Sequence, residues 1–254
     1  MDDEIITLAE IIKRIDKERE TKCPTGFPPL DRVMYGGFSP ALYLLAADPG
    51  MGKTALILSM MYQQATRYKM LSVLLTTTIK LHLVRRLRLM FEDFPTDMIY
   101  ASTVRNLSGV CEFVRNAVRK GIKIIYINDL KFPFDNRTNE LSPAERVEFL
   151  CTLSHLAEEL RIAIVVLAPT NFGKNNGVCR PNYDDLNISE AEKMVIRDVM
   201  LLYRPEFCGI SHDEYGMPLD GFAEIIIGEC TLYLYFDKPY CRFLALEDMP
   251  DRGF

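Results

Sequence analysis

The chain has 254 residues, of which 48% are hydrophobic and 26% are charged, and its formal net charge is −5. These values suit one α/β domain with small additions, and they give no global positive field that would favour nucleic acid. The seven cysteines are scattered and form no CxxC pair. No apolar run reaches the roughly 18 residues of a membrane span. We therefore expect a cytoplasmic protein with free thiols and with no membrane segment, disulfide framework or zinc site.

The first predicted element is an amphipathic helix over residues 7–20. Thr7 and Glu10 form a capping box at its start, and Leu8 and Ile12 belong to its apolar face. A proline-rich connection follows, so we divide the chain into residues 1–24, the helix and connection, and residues 25–254, the main domain. The sequence leaves two places for the helix, either against its own domain or on a neighbouring molecule.

A strand, a tight loop and a helix are predicted next, around the run Ala47 to Thr54, which has the spacing of a P-loop. Gly50 and Gly52 allow the backbone to curl so that successive N–H groups point at phosphate oxygens. Lys53 has the charge for the β- and γ-phosphates, and the Thr54 hydroxyl is placed for Mg²⁺. The run predicts binding of ATP or ADP with Mg²⁺. The predicted nucleotide-binding residues are Asp48, Pro49, Gly50, Met51, Gly52, Lys53, Thr54 and Ala55.

The remaining elements follow from hydrophobic periodicity. A short helical segment lies between the turn signals at residues 25–29 and 36–37. Predicted helices cover residues 55–68, 81–94, 106–119 and 144–160, and predicted strands cover residues 42–46, 71–75, 98–101, 122–128, 162–168, 199–203, 222–228 and 231–236. In the helix at 81–94 we expect an inward face of Leu81, Leu83, Val84, Leu87 and Phe91. Strands alternate with helices and then dominate, which predicts a mostly parallel central sheet with helices on both faces and an antiparallel C-terminal extension.

These motifs, in this order, resemble the C-terminal motor domain of DnaB-type replicative helicases, a ring-forming branch of the RecA-like ATPases. The similar segments are Thr25 to Asp31, Ala46 to Thr54, Leu75 to Arg85, Ile124 to Leu130, Asp185-Leu186, Asp198 to Phe207, Ala223 to Ile227 and Tyr233 to Phe243. The resemblance covers about residues 7–245 and implies a RecA-like P-loop NTPase fold. It also implies that residues 7–20 stand where the family has a linker helix that docks on the adjacent subunit.

The sequence departs from the family where the resemblance implies catalysis. Thr78 stands at the position of the catalytic Glu, and a neutral hydroxyl is no base near neutral pH. Asn128 stands at the position of the Walker B Asp, so that Asp129, one residue later, is the candidate catalytic and metal-binding carboxylate beside Thr54. Pro169 stands near the sensor Gln, and the turn Gly228-Glu229-Cys230-Thr231 replaces the family's Lys-x-Arg finger.

Basic residues form two groups on predicted helix surfaces, and we interpret both as solvated helix faces rather than phosphate tracks. The groups are Lys80, Arg85, Arg86 and Arg88, and Arg115, Arg119, Lys120 and Lys123. The loops at 131–143 and 169–183, where the resemblance places DNA-contacting loops, mix Lys131, Arg137, Lys174 and Arg180 with acidic residues.

The sequence therefore leaves three functional readings. The chain is a degenerate relative that binds ATP-Mg with weak or no hydrolysis and contacts a replicative helicase or its loader. Alternatively, it is an active ATP-dependent helicase that works as a homo-oligomeric ring on single-stranded DNA. The third reading is a RecA- or KaiC-like regulator with its own substrate.

Overall fold

The structure is a computed structural model that describes residues 7–10, 12–13, 21–76, 80–102, 107–128, 142–170, 180–186 and 188–249. Thr7 caps the start of the N-terminal helical segment, since its Oγ1 accepts from the Glu10 N–H at 3.2 Å and its own N–H donates to the Glu10 carboxylate at 2.8 Å. The predicted capping box is therefore confirmed. Leu8 and Ile12 are 77% and 57% exposed, so these two side chains do not pack on their own domain.

Beyond the N-terminal helical segment, six α-helices and nine strands of the described residues alternate much as the sequence predicts. The helices are α1 Pro28–Val33, α2 Lys53–Tyr68, α3 Lys80–Met90, α4 Leu107–Arg119, α5 Pro143–Leu160 and α6 Glu190–Val195. The strands are β1 Ala41–Ala47, β2 Ser72–Thr76, β3 Ile99–Ser102, β4 Ile124–Asn128, β5 Ala163–Pro169, β6 Asp198–Tyr203, β7 Phe222–Ile227, β8 Cys230–Asp237 and β9 Arg242–Leu244. Helix α6 lacks a sequence prediction because six residues are too few to show a periodicity.

All nine strands of the described chain form one sheet in the order β3-β2-β4-β5-β1-β6-β7-β8-β9. The first six strands of that order run parallel, and β7, β8 and β9 add antiparallel strands at one edge. The prediction of a mostly parallel α/β sheet with an antiparallel C-terminal extension is confirmed. Because β1 lies between β5 and β6, the P-loop that follows it emerges near the middle of the sheet.

Two apolar layers cover the two faces of the sheet. Along β1, Tyr43 and Leu45 face the layer that contains α2 and α3, while Leu42 and Leu44 face the layer that contains α4 and α5. This alternation follows from the two-residue period of a strand, and burial on both sides explains why β1 and β5 read as continuous apolar runs. The carboxyl ends of the parallel strands therefore meet at one edge, between two helical layers.

Helix α3 corrects part of the predicted core. Leu83 and Leu87 are buried, as expected, but Leu81 is 56% exposed and Val84 is 38% exposed. The helix also ends at Met90 rather than near residue 94. The buried residues Leu83 and Leu87 lie within about 40° of each other around the helix. The prediction was wrong for Val84, which lies about 100° from Leu83, and for Leu81, which lies about 160° from it.

Candidate functional site

The loop between β1 and α2 has the backbone of a phosphate cradle. Gly50 and Gly52 have φ values of +92° and +105°, a region that side chains rarely adopt. A Cβ on Gly50 would lie 2.5 Å from the Phe207 ring, so the loop also needs glycine there for close packing. Gly52 precedes the first turn of the 16-residue helix α2 and carries no side chain that could cap it. The first N–H groups of α2 thus point out of the helix at the position where an anion would lie.

The Lys53 ammonium is folded back over this loop. Its Nζ donates to the Ala47 carbonyl at 2.5 Å and to the Asp48 carbonyl at 3.3 Å. An ammonium has three hydrogen-bond donors. Replacing a carbonyl partner by a phosphate oxygen costs little free energy, because the hydrogen bond to the charged phosphate is the stronger one. The position of Lys53 is therefore suited to phosphate, as the sequence predicts.

The other predicted P-loop residues divide into two kinds. Met51 and Ala55 are 2% and 1% exposed, so their side chains belong to the core and only their backbone N–H groups can serve a ligand. Pro49 is exposed, and Thr54 is half-buried at the start of α2. Thr54 is thus the P-loop residue with a partly accessible side-chain hydroxyl for a metal ion.

Asp48 is held by a residue that sequence reasoning missed. The Thr170 hydroxyl donates to Asp48 Oδ1 at 2.6 Å, and the Thr170 N–H donates to the Ala47 carbonyl at 3.2 Å. Thr170 is only 5% exposed and directly follows β5, the strand that pairs with β1. This pair fastens the start of the P-loop to the neighbouring strand. The one signal in the sequence is a polar residue immediately after a fully apolar strand.

Two polar residues end the strands β2 and β4. Thr76 and Asn128 are paired in the parallel register, and Asn128 Nδ2 donates to Thr76 Oγ1 at 3.3 Å. An amide therefore lies at the end of β4, where it brings no negative charge. Thr78 and Asp129, predicted at the catalytic and metal positions, lie outside the described residues. In the part of the chain that the structure describes, no group of three or more His, Cys, Asp or Glu residues could hold a metal ion.

An aromatic and charged cluster adjoins the P-loop on the side of β6. Arg204 is 8% exposed, its guanidinium lies 3.7 Å from the centre of the Phe236 ring, and its Nη2 donates to Glu206 at 2.6 Å. Burial alone would raise the pKa of Glu206, but hydrogen bonds from Arg204 and Lys238 outweigh it and hold that pKa below its ordinary value. The next residue, Phe207, is the one that packs on Gly50. Sequence analysis found the segment Asp198 to Phe207 similar to the family but predicted no role for these residues.

Comparisons with known proteins agree with this geometry. Residues 23–92 match the family model of the DnaB-like helicase C terminal domain. The ATPase domain of G40P superposes with a TM-score of 0.75 at 20% identity, covering 96% of this chain and 100% of that one. A DnaB-like replicative helicase, solved in a study of its interactions with primase, superposes with a TM-score of 0.76 at 21% identity, covering 97% of this chain and 68% of that one. The fold is that of a DnaB-type, RecA-like domain.

The curated relatives match over shorter or more distant stretches. DNA repair protein RadA of Mycobacterium tuberculosis (strain ATCC 25618 / H37Rv) is 46% identical over 55 residues, 21% of this chain and 12% of that protein. RadA of Listeria monocytogenes is 30% identical over 164 residues, 61% of this chain and 34% of that protein. The replicative DNA helicase DnaB of Leifsonia xyli subsp. xyli is 24% identical over 259 aligned positions, 88% of this chain and 56% of that protein. The match thus covers 56% of the length of that DnaB protein and about a third or less of the two RadA proteins.

Two further positions of this chain lack groups that its sequence resemblance implied. Pro169 is the exposed last residue of β5, beside Ala47, and proline has no N–H donor. The β7–β8 hairpin turns within Gly228 and Glu229, and neither residue carries a cation. Arg180 does reach this hairpin, where it donates to Glu224 at 2.7 Å and to Thr231 at 2.8 Å.

Arg85, Arg86 and Arg88 lie on α3, and Arg115 and Arg119 lie on α4, as expected. The prediction was wrong for Lys120 and Lys123, which lie between the end of α4 and the start of β4. Arg85 and Arg88 are exposed, and burial lowers the pKa of the half-buried Arg86 guanidinium. Arg115 lies 3.6 Å from Glu159, and Arg119 donates to Asn116 at 3.0 Å. The loops proposed to meet DNA fall mostly outside the described residues. No helix in the described part of the chain has the length and apolar character needed to cross a lipid bilayer.

Proposed function

We propose that this DnaB-type domain binds ATP or ADP with Mg²⁺ at the P-loop, hydrolyses it weakly or not at all, and acts in DNA replication. The observation that carries the proposal is the cradle itself. Two left-handed glycines open the loop, Lys53 is drawn over it, and the 16-residue helix α2 begins there. Backbone donors, one ammonium and a helix N-terminus are the groups that bind phosphate.

The donor set fits the phosphates better than it fits the metal. Lys53 and the first N–H groups of α2 would hold the phosphate oxygens, and Thr54 would offer its hydroxyl to Mg²⁺. Magnesium usually keeps several waters and takes one or two carboxylates beside the phosphates. Asp129 is our candidate for that carboxylate, since Asn128 carries an amide. When bound, Mg²⁺ would neutralise phosphate charge, while the residues of the loop would fix the position of the triphosphate.

The first test is the change Lys53→Ala. Removing one partner of a charge-assisted contact costs about 2–5 kcal/mol, so nucleotide affinity should fall at least about thirtyfold. Isothermal titration calorimetry with ATP, ADP and a non-hydrolysable ATP analogue, each with Mg²⁺, measures the change. Lys123→Ala is the matched control, because Lys123 is exposed and lies away from the loop. No heat from any nucleotide with the wild-type chain, or unchanged binding by Lys53→Ala, would overturn the proposal.

Weak hydrolysis is supported by Asn128, by Pro169 and by the β7–β8 turn, which carries no cation. Loss of a positioned base costs 10²–10⁴ in rate and loss of an arginine finger costs roughly 10³–10⁵. We expect steady-state turnover with single-stranded DNA at least about a hundredfold below the usual 1–10³ s⁻¹ of enzymes. The double change Thr78→Glu and Asn128→Asp should raise that turnover, whereas Ser211→Glu, a polar-to-acidic change at an exposed position, should not.

The same assay tests the alternative function, in which the chain is an active ring helicase on single-stranded DNA. Turnover at ordinary motor rates, stimulated by DNA, would establish that function and reject ours. Under our proposal the domain, placed in the cytoplasm, acts through protein contacts with a replicative helicase or its loader. Two features support this role in replication. The chain resembles DnaB-type domains, and it lacks catalytic groups at Thr78, Asn128 and Pro169 that hydrolysis would need.

A further inference from the structure

A cavity of about 580 Å³ lies at the edge of the sheet far from the P-loop, between strand β3 and helix α4. It is lined by Val73, Tyr100, Ala101, Ser102, Phe113, Asn116, Ala117, Arg119, Lys120 and Ile122. Its volume falls in the range of sites that hold a small ligand or a short stretch of peptide. None of these residues takes part in the nucleotide site described above.

The cavity runs along the backbone of an edge strand. Among the described residues β3 pairs with β2 alone and is the last strand of the sheet, and its residues are all half-buried. Successive side chains of a strand point to opposite faces. Tyr100, Ala101 and Ser102 are consecutive and all line the cavity, so it follows the backbone of β3, whose other side is the open edge of the sheet. An edge strand offers unpaired N–H and C=O groups there, which an added strand can pair with.

The interior of the cavity is apolar and its rim is cationic. Val73, Ala117 and Ile122 are at most 3% exposed and form the floor, with Phe113 as a wall. At the rim, Lys120 Nζ lies 6.0 Å from the centre of the Tyr100 ring. In the described part of the chain, Arg119 and Lys120 form no salt bridge with a carboxylate, although Arg119 donates to the Asn116 amide. The cavity thus has two positive charges that a ligand carboxylate would complement.

From these features we propose that this cavity, called the groove below, binds an extended acidic peptide of a partner protein. The peptide adds a strand to β3, places one aromatic or large aliphatic side chain in the cavity, and sets a neighbouring Asp or Glu against Lys120 and Arg119. The open edge of β3 favours an extended peptide backbone. The apolar floor favours an apolar side chain as the anchor, and the cationic rim favours a negatively charged residue beside it. This site is independent of nucleotide binding at the P-loop.

The test is selection from a phage-displayed random octapeptide library on the purified full chain. We expect enrichment of sequences with one aromatic or large aliphatic residue next to Asp or Glu. A selected peptide is then synthesised with a tryptophan anchor, and its fluorescence reports binding cleanly because the chain contains no Trp. Lys120→Glu should weaken this binding by about tenfold or more, since it opposes like charges at the rim. Lys123→Glu, the same charge change at an exposed residue outside the groove, should alter binding less than about twofold.

Hydrogen exchange separates strand addition from mere surface contact. On peptide binding, exchange of amides in residues 99–102 should slow by about tenfold, because amides at the open edge gain partners. Selection without acidic enrichment, affinity unchanged in Lys120→Glu, or unaltered exchange at β3 would each overturn the proposal. Self-association in sedimentation velocity that Lys120→Glu abolishes would assign the groove to a second copy of the chain and also overturn it.

Discussion

Glu192 is the most deeply buried charged residue in the described part of the chain. Its side chain is 0% exposed and forms a salt bridge with Arg146, whose Nη2 donates to it at 3.0 Å. The Ser189 hydroxyl also donates to this carboxylate, at 2.8 Å. Burial alone would raise the pKa of Glu192, but these hydrogen bonds outweigh it and hold that pKa below its ordinary value of 4.5. The salt bridge between α5 and α6 therefore stabilises the fold most when the Glu192 carboxylate is ionised.

The change Arg146→Met tests this balance. It leaves a buried carboxylate unpaired and should lower the free energy of unfolding by about 3–5 kcal/mol at pH 7. Because the folded-state pKa of Glu192 is lowered in the wild type, its contribution is present above pH 4.5 and is lost as the pH falls through the folded-state pKa. The difference between variant and wild type should therefore shrink in acid. Urea titrations at pH 7 and near pH 4 measure both values.

A surface pair provides the control for that experiment. Arg115 and Glu159 are 47% and 59% exposed and lie 3.6 Å apart, so Arg115→Met should change stability by less than about 1 kcal/mol at either pH. A loss in Arg115→Met equal to that in Arg146→Met would show that burial of the Glu192 carboxylate is not the cause.

At the scale of elements, helix α5 shows how local chemistry sets a boundary. Ser142 is its N-cap, Pro143 is its first residue, and Glu145 completes a capping box in which the Ser142 N–H donates to its carboxylate at 2.8 Å. Proline suits the first helical position because its missing N–H has no partner there anyway. The predicted start at residue 144 was therefore within one residue of the observed start.

Ser142→Ala removes the hydroxyl that satisfies the Glu145 N–H and should cost about 1 kcal/mol of unfolding free energy. Chemical denaturation at neutral pH measures the loss. Thr152→Ala is the control in the same helix, because Thr152 only donates back to the Glu148 carbonyl, a contact with little net value. Equal losses in the two variants would contradict a specific capping role.

At the scale of the whole molecule, the exposed residues of the N-terminal helical segment, which we call the arm, bear on assembly. Leu8 and Ile12 are apolar, exposed and one helical turn apart, and an exposed apolar stripe favours burial against another surface. The resemblance to DnaB-type domains makes a second copy the expected partner in a ring, so the sequence alternative of docking on a neighbour is the one we favour.

The double change Leu8→Asp and Ile12→Asp should abolish assembly and leave the monomer's stability within about 0.5 kcal/mol, since these side chains are exposed in the single chain. Sedimentation velocity with and without Mg-ATP measures assembly. Met194→Asp, at a residue that is 87% exposed outside the arm, should leave it unchanged. A wild-type chain that stays monomeric in both conditions, at every concentration tested, would contradict the prediction.

By itself, the sequence determined most helices and strands of this protein and the proposed P-loop, because both depend on neighbouring residues. Apolar runs and alternation specified the strands, and the glycines and Lys53 specified the loop that we propose as a phosphate cradle. Only the tertiary structure decided the strand order, the exposure of Leu81 and Val84, the fastening of Asp48 by Thr170, and the packing of Phe207 on Gly50. Thr170 and Asp48 are 122 residues apart in the chain. Such contacts depend on how crossover connections fold back onto one sheet, and a local pattern carries no record of that.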